Sequence, residues 1–331
     1  MHDTAARTTA PSLTLFTTAK PFLGHAGVIQ RNALGSWAEL RPRPEVLLVG
    51  DEDGYEAAAA DLGVTRISQL PRNEFGTPLI SGLFRLAHQH GTGDVLCFSN
   101  ADIILPPRFT AAIEVVAEAC PRFLMVGRRV DLDITEPVDF GGNWWAALET
   151  RSSAEGHGRH DLAIDYFAFS RQLFASVPPF AIGRTRYDNW LLWKAAAEGA
   201  VVVDATAFVT VVHQNHDYGH IGGTIRAWEG PEAQRAEQLI GHWSHYHSIA
   251  HATWLLTPDG QLAPARGLRY AAARPRRIVA QSLRLTRPYR RRAKVAIASW
   301  RQRPGQPGPT GPAVSLPPMS QATAAPEPEG E

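Results

Sequence analysis

The stretch Ser99-Asn100-Ala101-Asp102 stands between two apolar runs, "DVLCF" and "IIL", so polar side chains crowd the point where a buried segment ends. In open α/β sheets the carboxyl ends of parallel strands form the crevice that holds ligands. An Asn-x-Asp at such an end offers hard oxygen ligands to a divalent cation; an Asx turn that merely stops the strand is the competing reading. A second concentration of chemistry follows a β-branched run in "VVHQNHDYGH". There His213 and His216, with Asp217 and His220 close behind, can complete a metal shell or bind phosphate oxygens, or serve as ordinary loop histidines. A third lies in "GRTRYDNWLLW", where Asp188 precedes an aromatic helical pattern and is placed either to accept a proton or to cap the helix. Arg184 and Arg186 beside it can neutralise a diphosphate or pair with nearby acids. "GGNWW" reads as a loop whose Trp144 and Trp145 are available for stacking or for packing. His242, His245, His247 and His251 fall around a helix that the pattern predicts from Gly230 to Leu256, which makes them surface or packing residues.

These groups need a frame, and the chain supplies one by alternation. "LTLFTTA", "EVLLVG", "VTRIS" and "DVLCFSN" read as short apolar strands, separated by the helical patterns "HAGVIQRNALGSWAEL", "YEAAAADLG" and "TPLISGLFRLAHQHG". A helix "PRFTAAIEVVAEAC" and a strand "FLMVGRRVDL" follow, then a long loop to about Asp161, a strand "LAIDYFAFS", the helix after Asp188, and one strand or a pair in "AVVVDATAFVTVVH". Such alternation predicts an α/β fold: a Rossmann-like, mostly parallel sheet with helices on both faces.

Composition narrows the class further. With 44% hydrophobic and 20% charged residues the 331-residue chain is ordinary for a globular protein, and no apolar run reaches the ~18 residues of a membrane span. "MHDTAARTTAPS" lacks the basic and apolar parts of a secretory signal, and two cysteines make no disulfide framework or structural zinc site; the expectation is a cytoplasmic protein. No H-E-x-x-H, no P-loop and no G-x-G-x-x-G after the first strand is present. The net charge of +1 conceals a division: 20 basic and 29 acidic residues precede Arg266, whereas Arg266 to Arg303 holds 13 basic residues and no acid. That stretch, broken at Pro275 and Pro288, suits amphipathic helices in peripheral contact with an anionic membrane; no nucleic-acid module accompanies it.

"LFTTAKPF", "LLVGDEDG" and "CFSNADIIL", in this order between Leu13 and His220, resemble the nucleotide and metal-binding segments of GT-A nucleotide-sugar glycosyltransferases of the bacterial family-2-like kind. The resemblance implies a GT-A-like catalytic domain over 13–260, with a nucleotide-binding half over 13–130 and an acceptor half over 131–260. It leaves a flexible N-terminus (1–12), a basic helical extension (261–303) and a disordered tail (304–331). It implies that Thr17, Thr18 and Asp51 hold base and ribose, that Asn100 stands where the family carries its first carboxylate, and that Asp102 with His213 or His216 holds Mg²⁺ or Mn²⁺. It further implies Asp188 as general base of an inverting transfer, Arg184 and Arg186 on the diphosphate, and Trp144, Trp145 and Asp165 on the acceptor. Donor and acceptor are then a nucleotide-sugar and a glycan or lipid-linked intermediate. Two rivals are a sugar-phosphate nucleotidyltransferase, whose Gly-rich signature after the first strand is missing here, and a non-catalytic sugar-binding protein, to which Asn100 lends weight.

Overall fold

The computed structural model describes residues 10–158, 161–216 and 230–273. Strand β1 (Leu13–Thr17) is buried along its whole length because it pairs in parallel on both sides, with β2 (Glu45–Val49) and with β4 (Val95–Ser99). The short β3 (Thr65–Ile67) adds a parallel edge beyond β2. On the other side the sheet continues through β9 (Tyr166–Ser170), β6 (Phe123–Val126), β10 (Val201–Asp204), β12 (Trp254–Leu256) and β13 (Leu262–Pro264), making nine strands. Only β9 and β13 run against the rest.

Alternation along the strands feeds two cores. Leu13 and Leu15 join the cluster under α1 (Gly24–Ala38), α2 (Tyr55–Leu62) and α4 (Phe109–Ala119). Phe16 points the other way, into the cluster under α3 (Ile80–His90), α6 (Tyr187–Ala197) and the helix Pro231–Ile240, named α7 here. Helix α3 shows how the sequence specifies this: Ile80, Leu83, Phe84 and Ala87 recur at helical spacing and all are buried, Phe84 stacking on Phe169 at 5.6 Å. The expected architecture, a mostly parallel α/β sheet with helices on both faces, is the one observed.

A second sheet sits at the carboxyl edge of the first, in the order β5 (Ile103–Ile104), β11 (Val211–Gln214), β7 (Arg129–Leu132), β8 (His157–Gly158). Three of its strands are chain continuations of the large sheet: β5 follows β4, β7 follows β6, and β11 follows β10. "FLMVGRRVDL" is therefore two strands rather than one. The break falls at Gly127, where a Cβ would lie 2.3 Å from the Tyr166 hydroxyl, so the chain passes that ring only because no side chain is there. "AVVVDATAFVTVVH" resolves into a pair belonging to different sheets.

Two further expectations are corrected. Trp144 and Trp145 begin a helix, α5 (Trp144–Glu155), instead of lying in a loop; its Leu148 packs with Ile104, Leu132 and Val212 beneath the second sheet. The helix expected from Gly230 to Leu256 ends at Ile240, where Gly241 takes a left-handed φ of 76°. Two 3-10 turns, Trp243–His245 and Ile249–His251, and strand β12 follow it. Among the described residues no helix is long and apolar enough to cross a membrane. The tail and the basic stretch after Ala273 lie outside the described residues, as do Asp217 and His220.

Candidate active site

Candidate metal-ligating side chains gather around the small sheet. His213 on β11 stands in register with Ile103 of β5 on one side and Asp131 of β7 on the other. Asp102, just ahead of β5, brings its Oδ2 to 3.6 Å from His213 Nε2 and 3.0 Å from His216 Nε2. One ligand atom from each of these three residues lies within 4.8 Å of the others. The second nitrogen of His213 is 3.3 Å from the buried Asp131 carboxylate, whose negative charge raises the basicity of the ring. Asp102 Oδ1 is buried with no hydrogen-bond partner among the described residues. Two imidazoles, a carboxylate with an oxygen to spare and an orienting carboxylate fit a divalent cation. Burial works against the charge on Asp102, yet the adjoining His213 and His216 hold its carboxyl well below the usual range. Burial likewise works against protonation of His213, and the Asp102 charge prevails to push its pKa up to about 9.

A buried relay ties this group to the end of β4. Because β9 runs antiparallel to β4, the residue before β9 meets the residue after β4: Asn100 N–H donates to Asp165 O at 3.0 Å, and Asn100 Nδ2 to Asp165 Oδ1 at 2.8 Å. Arg129 on β7 then bridges Asp165 at 2.7 Å and Asp131 at 2.9 Å. An aspartate at position 100 would set a second carboxylate against Asp165, so the amide there is explained by its neighbour. Sequence reasoning missed Arg129 and Asp131. Their signal was the period-two spacing in "RVDL", which puts both on one face of a strand.

These residues form one wall of a cavity of about 540 Å³ at the carboxyl edge of β1 and β4. Its other side is the loop after β1. Tyr55 fastens that loop, its hydroxyl accepting from Ala19 N–H at 2.6 Å and donating to Ala19 O at 2.7 Å, while Gln30 grips Lys20 through both its amide groups. Thr18 and Lys20 consequently face the cavity, as does Glu52 after β2. Phe75 closes the rim from a turn in which Asn73 O accepts from Gly76 N–H at 3.0 Å.

The structure brings Thr18, Asn100, Asp102, Asp165, Arg184, His213 and His216 to this cavity. Thr17 is buried within β1, and its hydroxyl donates to Thr18 O at 3.2 Å. Asp51 lies outside the lining with Glu52 in its place, both acids pairing with Arg72. Trp144 packs edge to face on both Trp145 and Phe140, and neither tryptophan lines the cavity. Arg184 lines the wall while bonded to Glu232 of α7 at 2.6 Å, and Arg186 turns instead toward Glu237, 3.5 Å away. Asp188 lies in the first turn of α6 beside cavity-lining Tyr187, and accepts from Asn189 N–H at 2.9 Å. Burial, helped by the Asp165 charge, pushes its pKa up to about 7.

No protein-family model matches the chain, and no curated protein matches it. Among solved structures it is similar to a mannosyltransferase from Pyrobaculum calidifontis in complex with GDP-Man and Mn²⁺, at 18% identity and a TM-score of 0.41, covering 65% of this chain and 60% of that one. It is also similar to glucosyl-3-phosphoglycerate synthase of Mycobacterium tuberculosis, at 15% identity and a TM-score of 0.43, covering 70% of this chain and 79% of that one. The same enzyme in complex with Mn²⁺, UDP and phosphoglyceric acid gives 16% identity and a TM-score of 0.38, covering 64% and 74%. Likeness this remote carries no functional weight of its own.

Proposed function

We propose that this chain is a glycosyltransferase that moves a sugar from a nucleoside-diphosphate donor to an acceptor hydroxyl. The observation that carries it is the triad Asp102, His213 and His216 at the wall of a cavity whose opposite side is the loop after β1. That cavity occupies the carboxyl edge of a parallel sheet, where α/β proteins bind nucleotides. Asp102, His213 and His216 would hold Mg²⁺ or Mn²⁺, which when bound offsets the negative charge that builds on the departing diphosphate. Thr18 offers its hydroxyl and Glu52 its carboxylate to the base and ribose. Lys20 and Arg184 supply positive charge along the phosphates.

Asp188 takes the proton of the attacking hydroxyl. Its raised pKa suits that work, since a base is most effective when its pKa lies near the working pH. A single displacement of this kind inverts the anomeric centre. The Asn100 amide is needed by Asp165, which removes the chief reason to regard the site as one that has lost its chemistry.

Calorimetry with UDP and GDP, each with and without Mn²⁺, tests the binding half of the reading, and release of nucleotide from a panel of nucleotide-sugars tests the transfer half. Metal-dependent diphosphate binding that is lost in His213→Ala supports it. Absence of binding to either nucleotide in the presence of Mn²⁺ removes it.

A further inference from the structure

A second cavity, of about 490 Å³, opens beside the first turn of α6. It shares no lining residue with the first, yet the two are joined by one turn of chain: Arg184 and Tyr187 face the first and Arg186 the second. Arg186 reaches its position through a left-handed φ of 86°, a strained conformation for a non-glycine residue and one that clusters at ligand sites. The rest of the wall is Glu237 and Ile240 of α7, Gly241, and the segment after it that the sequence pattern assigned to a helix. Its true conformation is fixed to α6. Asn189 Nδ2 donates to His247 O at 2.7 Å, His247 N–H donates back to Asn189 O at 3.3 Å, and His245 stacks on Trp193 at 3.7 Å. Asp188 precedes Asn189 in this clasp, one residue after Tyr187 of the first cavity and two after Arg186 of the second.

The lining has a definite chemical character. Trp243 projects an indole that is 57% exposed, although hydrophobic residues of its size are normally covered. Around it stand the Tyr246 hydroxyl, which both donates and accepts hydrogen bonds, and the His242 imidazole, whose Nδ1 accepts from Ser244 N–H at 3.1 Å and leaves Nε2 for a ligand. Arg186 is answered by the Glu237 carboxylate at 3.5 Å, so its guanidinium does not stand unpaired in the wall. An aromatic face flanked by a hydroxyl and an imidazole matches a pyranose ring, whose C–H face is apolar and whose edge carries hydroxyls that donate and accept. It does not match a phosphorylated acid, which calls for unpaired positive charge.

We propose that this second cavity is the acceptor subsite and that it takes an uncharged sugar ring, stacked on Trp243 with its hydroxyls toward Tyr246 and His242. The inference rests on the transferase reading and narrows its acceptor to a neutral glycan end. In the balanced step, the acceptor oxygen bonds to the anomeric carbon of the donor, the bond from that carbon to the diphosphate breaks, and the acceptor proton passes to Asp188.

The test is saturation-transfer NMR on the full chain with neutral methyl glycosides and short unbranched oligosaccharides, and with a sugar phosphate as the anionic arm. Each is run with and without UDP or GDP plus Mn²⁺. The variants are Trp243→Ala, Tyr246→Phe and, as a control on an exposed indole elsewhere, Trp254→Ala. The expected result is transfer to a neutral sugar that weakens about tenfold in Trp243→Ala, also falls in Tyr246→Phe, and is kept in Trp254→Ala. Signals confined to the sugar phosphate, no signal from any neutral sugar, or equal signals in wild type and Trp243→Ala overturn it. Nucleotide calorimetry on the same samples separates the two failures. Retained metal-dependent nucleotide binding without sugar binding ends the subsite alone, and Trp243-dependent sugar binding without nucleotide binding ends the transferase reading while keeping the sugar pocket.

Discussion

His213 and Asp131 face each other across parallel strands β11 and β7, imidazole Nδ1 to carboxylate Oδ1 at 3.3 Å, with His213 Nε2 turned the other way toward Asp102. A carboxylate behind a histidine fixes its tautomer and leaves the far nitrogen as the ligand. Asp131→Asn keeps the shape and removes the charge. The variant is expected to weaken Mn²⁺ binding by about 10–100-fold with unchanged circular dichroism. Titration of Mn²⁺ followed by the paramagnetic resonance of the free ion checks this.

Arg129 pairs with both Asp131 and Asp165, and its own exposure is only 15%. Replacing it with Met removes the cation that the two buried carboxylates share and leaves Asp131 with His213 and Asp165 with the Asn100 amide. A loss of about 3–5 kcal/mol in urea unfolding is expected, since removal of one partner of a buried ionic group strands the others. The loss is to be smaller at pH 4, where the stranded carboxylates take up protons. Equal losses at both pH values would show that packing, rather than charge, is what Arg129 contributes.

Asn100→Asp tests why an amide occupies the strand end. Its Nδ2 donates to Asp165 Oδ1, and a carboxylate there would be a like charge at hydrogen-bond distance. Such a pair raises the pKa of one member, so stability is present at low pH and falls as pH rises through that raised value. The expected outcome is a lower thermal midpoint at pH 8 than wild type and near equality at pH 4.

Asp188, the proposed base, has its pKa pushed up to about 7 and is expected to set a pH dependence of opposite sense for activity and for stability. As a base it must be ionised, so kcat/KM for transfer rises with pH up to about 7 and then levels. Asp188→Asn is expected to lower the rate by about 10²–10⁴-fold and to abolish that limb. For stability, the folded state holds a proton that the unfolded chain has already released above its ordinary aspartate pKa of about 3.9. The raised pKa therefore stabilises fully below that value, and the stabilisation is lost as pH rises through about 7. The variant should consequently unfold at higher denaturant than wild type at pH 8.

Much of the fold was legible in the sequence because burial imposes local patterns. Apolar runs such as "EVLLV" mark strands covered on both faces, and the spacing of Ile80, Leu83, Phe84 and Ala87 marks a helix with one buried side. The polar cluster at Asn100 and Asp102 was visible for the same reason, since it interrupts an apolar run at a strand end. What the sequence hid were consequences of strand direction and register. Asp165 meets Asn100 because β9 runs antiparallel to β4, and His213 meets Asp131 because β11 and β7 pair in one particular register. Neither relation is encoded by spacing along the chain. The same holds for the segment after Gly241, where a left-handed residue ends the helix and contacts with α6 override a periodicity that alone would have continued it. The sequence by itself determined which residues are buried and which types of chemistry are present. Only the tertiary structure decided which of them share a cavity, because that depends on pairings between segments more than 80 residues apart, such as His213 with Asp131 and Asp102.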